Sequence, residues 1–360
     1  MKKEIIIVMH DFRGGGAERV AVTLANSLSD LGNNVTLVFL EAKGPFLSEI
    51  SSEISLRELK SKRIATSIIE LSKIFKVAKP DLIISHMTHV NVATAMATLI
   101  SNTRDKLTIV EHSQMQSNYL NKKSLYQKLI YLSTKVLYRI PNQRVGVSGG
   151  VCRAMSDFTG LDIRLFTSIY NPVITEKLLT VKYNKELRHE ICKSDYLFVF
   201  VGRLIKSKRV GDFINAINLA SSEISCEAII LGDGPEKYEL EELAKSLGMD
   251  KKIHFLGFKE NPHDYIKIAD ALVLTSEWEG LPTVLIEALA LGTQVISSDC
   301  KSGPSEILSG GVYGSLYPVG DVNTLSELIV NSISLKPISC EQHLNQFTTV
   351  TAAYKYLGVK

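Results

Sequence analysis

At 360 residues the chain exceeds one typical hydrophobic core and fits two domains of ordinary size. Its composition is 45% apolar and 22% charged, with no Pro/Gly-rich or polar low-complexity tract, which excludes a fibrous or disordered chain. The net charge of +3 divides into +8 over residues 1–171 (22 Lys/Arg against 14 Asp/Glu) and −5 over 172–360 (19 against 24), so the first half suits an anionic partner.

The opening MKKEIIIVMHDF has a basic flank and an apolar run too short for a signal segment, without a small-residue cleavage site. It is expected to be a buried first strand over 4–10. Further strands are expected at 34–40, 81–86, 107–111 and 144–148, then at 197–201, 227–231, 253–256, 271–274 and 294–297. Helical patterns fall between them at 17–31, 209–220, 235–247 and 283–291. This alternation predicts an α/β protein with parallel sheets, and its restart near Leu197 predicts two doubly wound domains in tandem. The link is expected near Tyr170-Asn171-Pro172, where proline interrupts the pattern. No apolar stretch reaches the roughly 18 to 20 residues of a membrane span. The five cysteines, Cys152, Cys192, Cys226, Cys300 and Cys340, are scattered and never in CxxC spacing, which argues against disulfides or zinc and for a reducing cytoplasm.

The residues with chemical potential concentrate in the second half. In the run from Ser276 to Glu287, SEWEGLPTVLIE, a strand enters a turn and then a helix with Pro282 near its first turn. Backbone N–H groups from Gly280 to Val284 are therefore expected at a helix N-terminus, which favours phosphate through free donors and the helix dipole. Glu279 precedes that helix, and Glu287 lies two turns later, expected to reach along its flank. Arg203 and Lys208, in VGRLIKSKR, leave another strand and suit the charge of a diphosphate; Gly232-Asp233-Gly234 leaves a third. All three belong at the carboxyl ends of strands, where doubly wound sheets bind ligands. Taken singly, the two glutamates read more readily as solvated helix charges, and Arg203 and Lys208 more readily as surface charges.

EGLPTVLIEALALGTQVISSD, with its Glu-x7-Glu spacing, together with FVGRLIKSKRV, ILGDGPEKYELEELAKSLG, IHFLGF, GGGAERVAVTLANSLSDLGNNVTLV, IVEHS, VGVSGGV and IYNPV, resembles the retaining GT-B glycosyltransferases of family 4 over nearly the whole chain. The resemblance implies two Rossmann-like domains facing across a cleft and closing over the donor. It implies an acceptor-side domain at 1–171, with 345–360 packing back on it, and a nucleotide-sugar donor domain at 172–344. Arg203 and Lys208 would hold the donor diphosphate, Glu279 the donor sugar and Glu287 the ribose hydroxyls. The backbone of Gly280, Leu281, Pro282, Thr283 and Val284 would line the phosphate and sugar site, with Gly234 nearby. Gly15 and Gly16 would admit the donor closely, and His112 would meet the reacting sugar or acceptor; a satisfied core histidine is its alternative. Lys208-Arg209 departs from a frequent Lys-Gly.

A metal is not expected: the chain has no Asp-x-Asp pair, and lysine and arginine can carry the phosphate charge. His86 and His89 have metal-pair spacing but no third ligand at a sensible distance in sequence. A dinucleotide reading of Gly14-Gly15-Gly16 with Glu41 fails because Arg19 occupies the last fingerprint position. Two rivals stand: another enzyme on this fold, such as a phosphorylase or epimerase, and a non-catalytic nucleotide-sugar binding module.

From His112 to Ser156 there is no acid, while Lys122, Lys123, Lys128, Lys135, Arg139, Arg144 and Arg153 are basic. Helical spacing of Leu125, Leu129, Leu132 and Val136, with Tyr126, Tyr131 and Tyr138 around them, makes 122–144 either a helix for an anionic membrane surface or a packed helix with a solvated face. The resemblance leans towards transfer of a hexose or N-acetylhexosamine from a UDP-sugar to a glycan or lipid-linked acceptor. The expected setting is bacterial surface-polysaccharide or lipopolysaccharide assembly, at the cytoplasmic face of the inner membrane. No nucleic-acid partner is expected.

Overall fold

A computed structural model describes residues 2–13, 15–61, 63–335 and 338–359. The chain forms two compact units, Met1–Val173 with Gln346–Lys360, and Ile174–Asn345.

The first unit is built on a parallel sheet of β1 (Glu4–Met9), β2 (Asn34–Phe39), β3 (Ser55–Glu58), β4 (Leu82–His86), β5 (Leu107–Glu111), β6 (Gln143–Gly146) and β7 (Phe166–Ser168), in the order 3-2-1-4-5-6-7. Ile5 to Met9 are buried without interruption because a central parallel strand is covered on both faces. The order reverses between β1 and β4, so the loops leaving these two strands part from each other and open a binding crevice. Helix Thr349–Leu357 packs on helix Gly16–Asp30, where Ser27 Oγ donates to the Thr349 carbonyl (3.0 Å) and Lys3 Nζ to the Leu357 carbonyl (3.1 Å). Thr348 caps its start by accepting from the Thr351 N–H.

The second unit repeats the plan with β8 (Tyr196–Val201), β9 (Cys226–Leu231), β10 (Ile253–Gly257), β11 (Ala271–Leu274), β12 (Gln294–Ser298) and β13 (Ser315–Tyr317), in the order 10-9-8-11-12-13. Its reversal lies between β8 and β11. Phe198, Phe200, Phe213, Val273, Ile296 and Tyr317 form part of its core.

The expected central strands all form, with ends shifted by a residue or two. β3, β7 and β13 were not expected: each is three or four residues long, too short for a periodic signal, and β3 is exposed along its length.

The helix Leu125–Leu137 turns its leucine stripe outward. Tyr131, Thr134 and, just beyond the helix, Tyr138 turn inward. Leu125 (73% exposed), Leu129, Leu132 and Val136 (67%) stand outward. Arg144 also departs from expectation: it is buried, its Nε donating to the Tyr138 carbonyl and its Nη2 to the Arg139 carbonyl (2.9 Å), so it ties down the helix end and adds nothing to the surface charge. Among the described residues no helix is long and apolar enough to cross a membrane.

Candidate active site

In the second unit the loops leaving β8, β9 and β11 are stitched together at the switch point. The Leu204 N–H donates to the Asp233 carbonyl (2.9 Å), the Glu236 N–H to the Leu204 carbonyl (3.1 Å) and the Glu277 N–H to the Ser207 carbonyl (2.8 Å). Such bonds satisfy backbone groups that a ladder cannot reach. They require glycine at Gly234, where a Cβ would lie 2.2 Å from the Leu204 carbonyl oxygen. The immediate reason for Gly234 is thus the close approach of two protein loops.

Helix Thr283–Leu291 starts at Pro282 without a side-chain cap, the Leu285 N–H donating to the Pro282 carbonyl (3.1 Å); an N-terminus of this kind favours an anion. Gly280, Leu281 and Pro282 are buried; Thr283 and Val284 are half-buried. Ser302 Oγ donates to the Gly280 carbonyl (2.8 Å), which fixes the turn into the helix.

Lys208 Nζ is hydrogen-bonded to the Glu279 carboxylate, which also accepts from Ser276 Oγ (2.6 Å). Both partners are largely buried. The Lys208 carbonyl accepts from Thr275 Oγ1 (2.6 Å), so the lysine is held at both ends. Arg203, on the loop after the same strand, is exposed. Arg209, at the position that departs from Lys-Gly, adopts the left-handed conformation (φ 48°) that glycine takes without strain, and its side chain pairs with Asp212 (2.6 Å). Cys300 lies near this pair; burial and then the Glu279 charge push its thiol up to about 12.

Glu287 does not lie along an open flank. It is buried (6% exposed), with its Oε2 3.4 Å from His263 Nε2.

The first unit holds a separate group at the carboxyl ends of β1, β4 and β5. His86 Nδ1 shares a hydrogen bond with His112 Nε2 (2.9 Å), and His89 Nε2 with His10 Nδ1 (3.2 Å). Burial lowers His112 and His89 to about 4 each, with His10 adding to the effect on His89. Burial and then His112 lower His86 well below the usual histidine value. All three are neutral imidazoles at pH 7. The i, i+3 histidines therefore belong to two different pairs and do not converge, and among the described residues no group of three or more His, Cys, Asp or Glu is placed to hold a metal ion.

Beside His112, Glu111 is fully enclosed. Its Oε1 accepts from the Tyr138 hydroxyl and Asn91 Nδ2 (3.1 Å), and its Oε2 from Thr88 Oγ1 (3.0 Å). Burial pushes this carboxyl up to about 7, against the opposing pull of those three donors. Gly15 and Gly16 sit at the start of helix Gly16–Asp30; a Cβ on Gly16 would meet nothing within 4 Å among the described residues, so their packing does not demand glycine at that position. Gly14 lies outside the described residues.

Glycosyl transferases group 1 matches residues 184–346, and Glycosyltransferase Family 4 matches residues 14–177. Together they span most of the chain, one on each unit. The chain belongs to the GT-B glycosyltransferases. It is 31% identical to an uncharacterized glycosyltransferase of Methanocaldococcus jannaschii over 68% of its own length and 62% of that relative's. It is 27% identical to the N-acetylgalactosamine-N,N'-diacetylbacillosaminyl-diphospho-undecaprenol 4-alpha-N-acetylgalactosaminyltransferase of Campylobacter jejuni, over 89% of the chain and 87% of the relative. Among solved structures, Anabaena HepE in complex with UDP-glucose superposes with a TM-score of 0.74 at 18% identity, over 99% of this chain and 95% of that one.

The glycosyltransferase therefore brings Lys208 and Glu279 into direct contact and sets Arg203 and the N-terminus of helix Thr283–Leu291 at the same sheet edge. Gly15, Gly16 and His112 lie in the other unit. Sequence reasoning missed Ser276 on Glu279, His263 beside Glu287, and the Glu111 network. Glu111 stood in the quoted IVEHS segment, yet its partners Thr88, Asn91 and Tyr138 come from distant positions that no local spacing connects.

Proposed function

We propose that this glycosyltransferase moves a hexose or N-acetylhexosamine from a UDP-sugar, with retention and without a metal ion, to a lipid-linked or polysaccharide acceptor in bacterial surface-glycan synthesis. The observation that carries the reading is the Lys208–Glu279 contact beside an uncapped helix N-terminus at the switch point of the second sheet. In the reaction the bond from the sugar's anomeric carbon to phosphate breaks, a bond to the acceptor oxygen forms, and the acceptor's proton passes to the leaving diphosphate. Negative charge grows on the diphosphate, where Lys208, Arg203 and the N–H groups of Gly280, Leu281, Thr283 and Val284 oppose it. Each preorganised donor of this kind is worth roughly 3 to 4 kcal/mol of barrier. Glu279 holds the sugar and tolerates its developing positive charge, and Glu287 takes the ribose hydroxyls. His112, as a neutral imidazole, meets the acceptor or the reacting sugar.

The carrier and acceptor classes are supported by the UDP-glucose complex of HepE and by the diphospho-undecaprenol substrate in the Campylobacter relative's name. The outward leucines of helix Leu125–Leu137, flanked by Lys122, Lys123, Lys128, Lys135 and Arg139, support docking of the enzyme on the anionic cytoplasmic face of the inner membrane.

The first test is a thermal-shift panel of UDP, GDP, ADP and their sugar conjugates in the presence of EDTA. A ligand that binds only the folded state at a hundred times its dissociation constant adds about 2.7 kcal/mol of stability. Stabilisation by UDP and one UDP-sugar, with UDP released on adding acceptor, is the expected result. Stabilisation by another nucleotide alone refutes the carrier; stabilisation that EDTA abolishes refutes the metal-free site.

A further inference from the structure

Glu287 is assigned the ribose, yet a carboxylate that recognises two adjacent hydroxyls must be held in one rotation about its terminal bond. Each oxygen then accepts from one hydroxyl. Something in the protein has to fix that rotation, because the terminal torsion of glutamate is otherwise broad.

His263 is placed to do so. It opens helix His263–Ile268, which is tied to helix Thr283–Leu291 and the turn after it: Thr293 Oγ1 donates to the Ile266 carbonyl (2.9 Å), and Lys267 Nζ to the Leu291 carbonyl (2.5 Å). The imidazole is thereby presented to Glu287 by a fixed frame. His263 Nε2 lies 3.4 Å from Glu287 Oε2 but is misaligned for a hydrogen bond, and it is buried with no other hydrogen-bond partner among the described residues. A buried polar nitrogen left in this state costs free energy unless a small rearrangement satisfies it. Only the tautomer with hydrogen on Nε2 is compatible with a facing carboxylate, since a lone pair there would repel it. A slight rotation of the carboxylate completes the bond, and Oε2 retains a second lone pair for a ribose hydroxyl.

We infer that His263 is a positioning residue for ribose recognition: its Nε2–H locks the Glu287 carboxylate when a nucleoside diphosphate binds, and so makes the site selective for ribose over deoxyribose. This rests on the assignment of Glu287 to the ribose. It leaves the phosphate contacts of Lys208 and Arg203 untouched, so its effect is confined to one part of the ligand.

The test is calorimetric titration of the whole chain with UDP and 2′-deoxy-UDP, and with the GDP pair in parallel, for the wild type, His263→Ala, His263→Asn and Glu287→Gln. A hydrogen bond to a charged group corresponds to a preference of roughly ten- to a hundredfold for the ribonucleotide in the wild type. His263→Ala is expected to weaken UDP severalfold, to leave 2′-deoxy-UDP unchanged, and to raise KM for the donor at constant kcat. His263→Asn, which keeps a short N–H donor, is expected to recover part of the preference. If the wild type prefers ribose but His263→Ala weakens both nucleotides equally, or neither, His263 does not act through the ribose and the inference falls alone. If the wild type binds both forms equally, or binds none of the four nucleotides, the ribose assignment of Glu287 falls and takes the inference with it. Should His263→Ala lower the melting temperature too far for titration, the Asn variant decides: equal weakening of UDP and 2′-deoxy-UDP, with the preference unchanged, refutes the inference.

Discussion

Replacing Glu111 by glutamine should make the first unit more stable at pH 8 and remove a pH dependence that the wild type carries. Burial raises this carboxyl from 4.5 to about 7 in the folded chain. For an acid raised on folding, the contribution is fully present below 4.5, where both states are protonated, and is lost as pH climbs through 7. Over that window the unfolded chain ionises freely while the folded one does not. At about 1.4 kcal/mol per pKa unit, the loss between pH 5 and pH 8 is about 2 to 3 kcal/mol. Glutamine cannot ionise and fits the same hydrogen bonds. Its oxygen can accept from Tyr138 and Asn91, and its NH2 can donate to Thr88 Oγ1, since a hydroxyl can turn to accept. The histidines of this unit titrate in the opposite sense, losing stability as pH falls from 6.5 towards 4, so the wild-type curve alone mixes the two. The difference between variant and wild type isolates Glu111. The assay is urea unfolding at pH 5 and pH 8 followed by hydrogen exchange of the peptides covering β5 and helix Leu125–Leu137. Emission of the single tryptophan, Trp278 in the second unit, serves as the internal reference and should not change. Parallel pH profiles for the two proteins would refute the reasoning, as would a variant less stable relative to wild type at pH 8 than at pH 5.

Three further outcomes are expected. Lys208→Ala should lower kcat by about 100- to 1000-fold, the effect of losing one preorganised charge at a leaving group, while circular dichroism stays unchanged; near-normal turnover would exclude Lys208 from the diphosphate. Gly234→Ala drives a Cβ into the Leu204 carbonyl and should destabilise the second unit by about 1 to 3 kcal/mol, read from the urea midpoint of Trp278 emission; an unchanged midpoint would show that the two loops are not in contact. Leu129→Glu with Val136→Glu should reduce flotation with anionic vesicles severalfold without lowering the melting temperature, because both side chains stand outward; a lowered melting temperature with unaltered flotation would place them in a packed face instead.

Central strands were legible because parallel strands covered on both faces read as unbroken apolar runs, and β1, β5, β8 and β11 appear within a residue or two of their expected limits. The edge strands β3, β7 and β13 were not, since pairing with a neighbour, and not their own composition, holds three or four residues extended. The link was expected near Tyr170-Asn171-Pro172, and the units divide after Val173. In the candidate site, the strand-to-helix run through Pro282 could be placed because its punctuation is local. The contact of Lys208 with Glu279, 71 residues apart, could not.

By itself, the sequence determined the fold class, the tandem plan and the location of the helix start at Pro282, all of which follow from short-range periodicity and turn chemistry. Only the tertiary structure decided which face of helix Leu125–Leu137 turns inward, that His86 and His89 part to different partners, and that Glu111, Arg144 and Glu287 are buried. Periodicity reports that a stripe exists, but the packing of distant elements decides whether that stripe meets the core or the solvent.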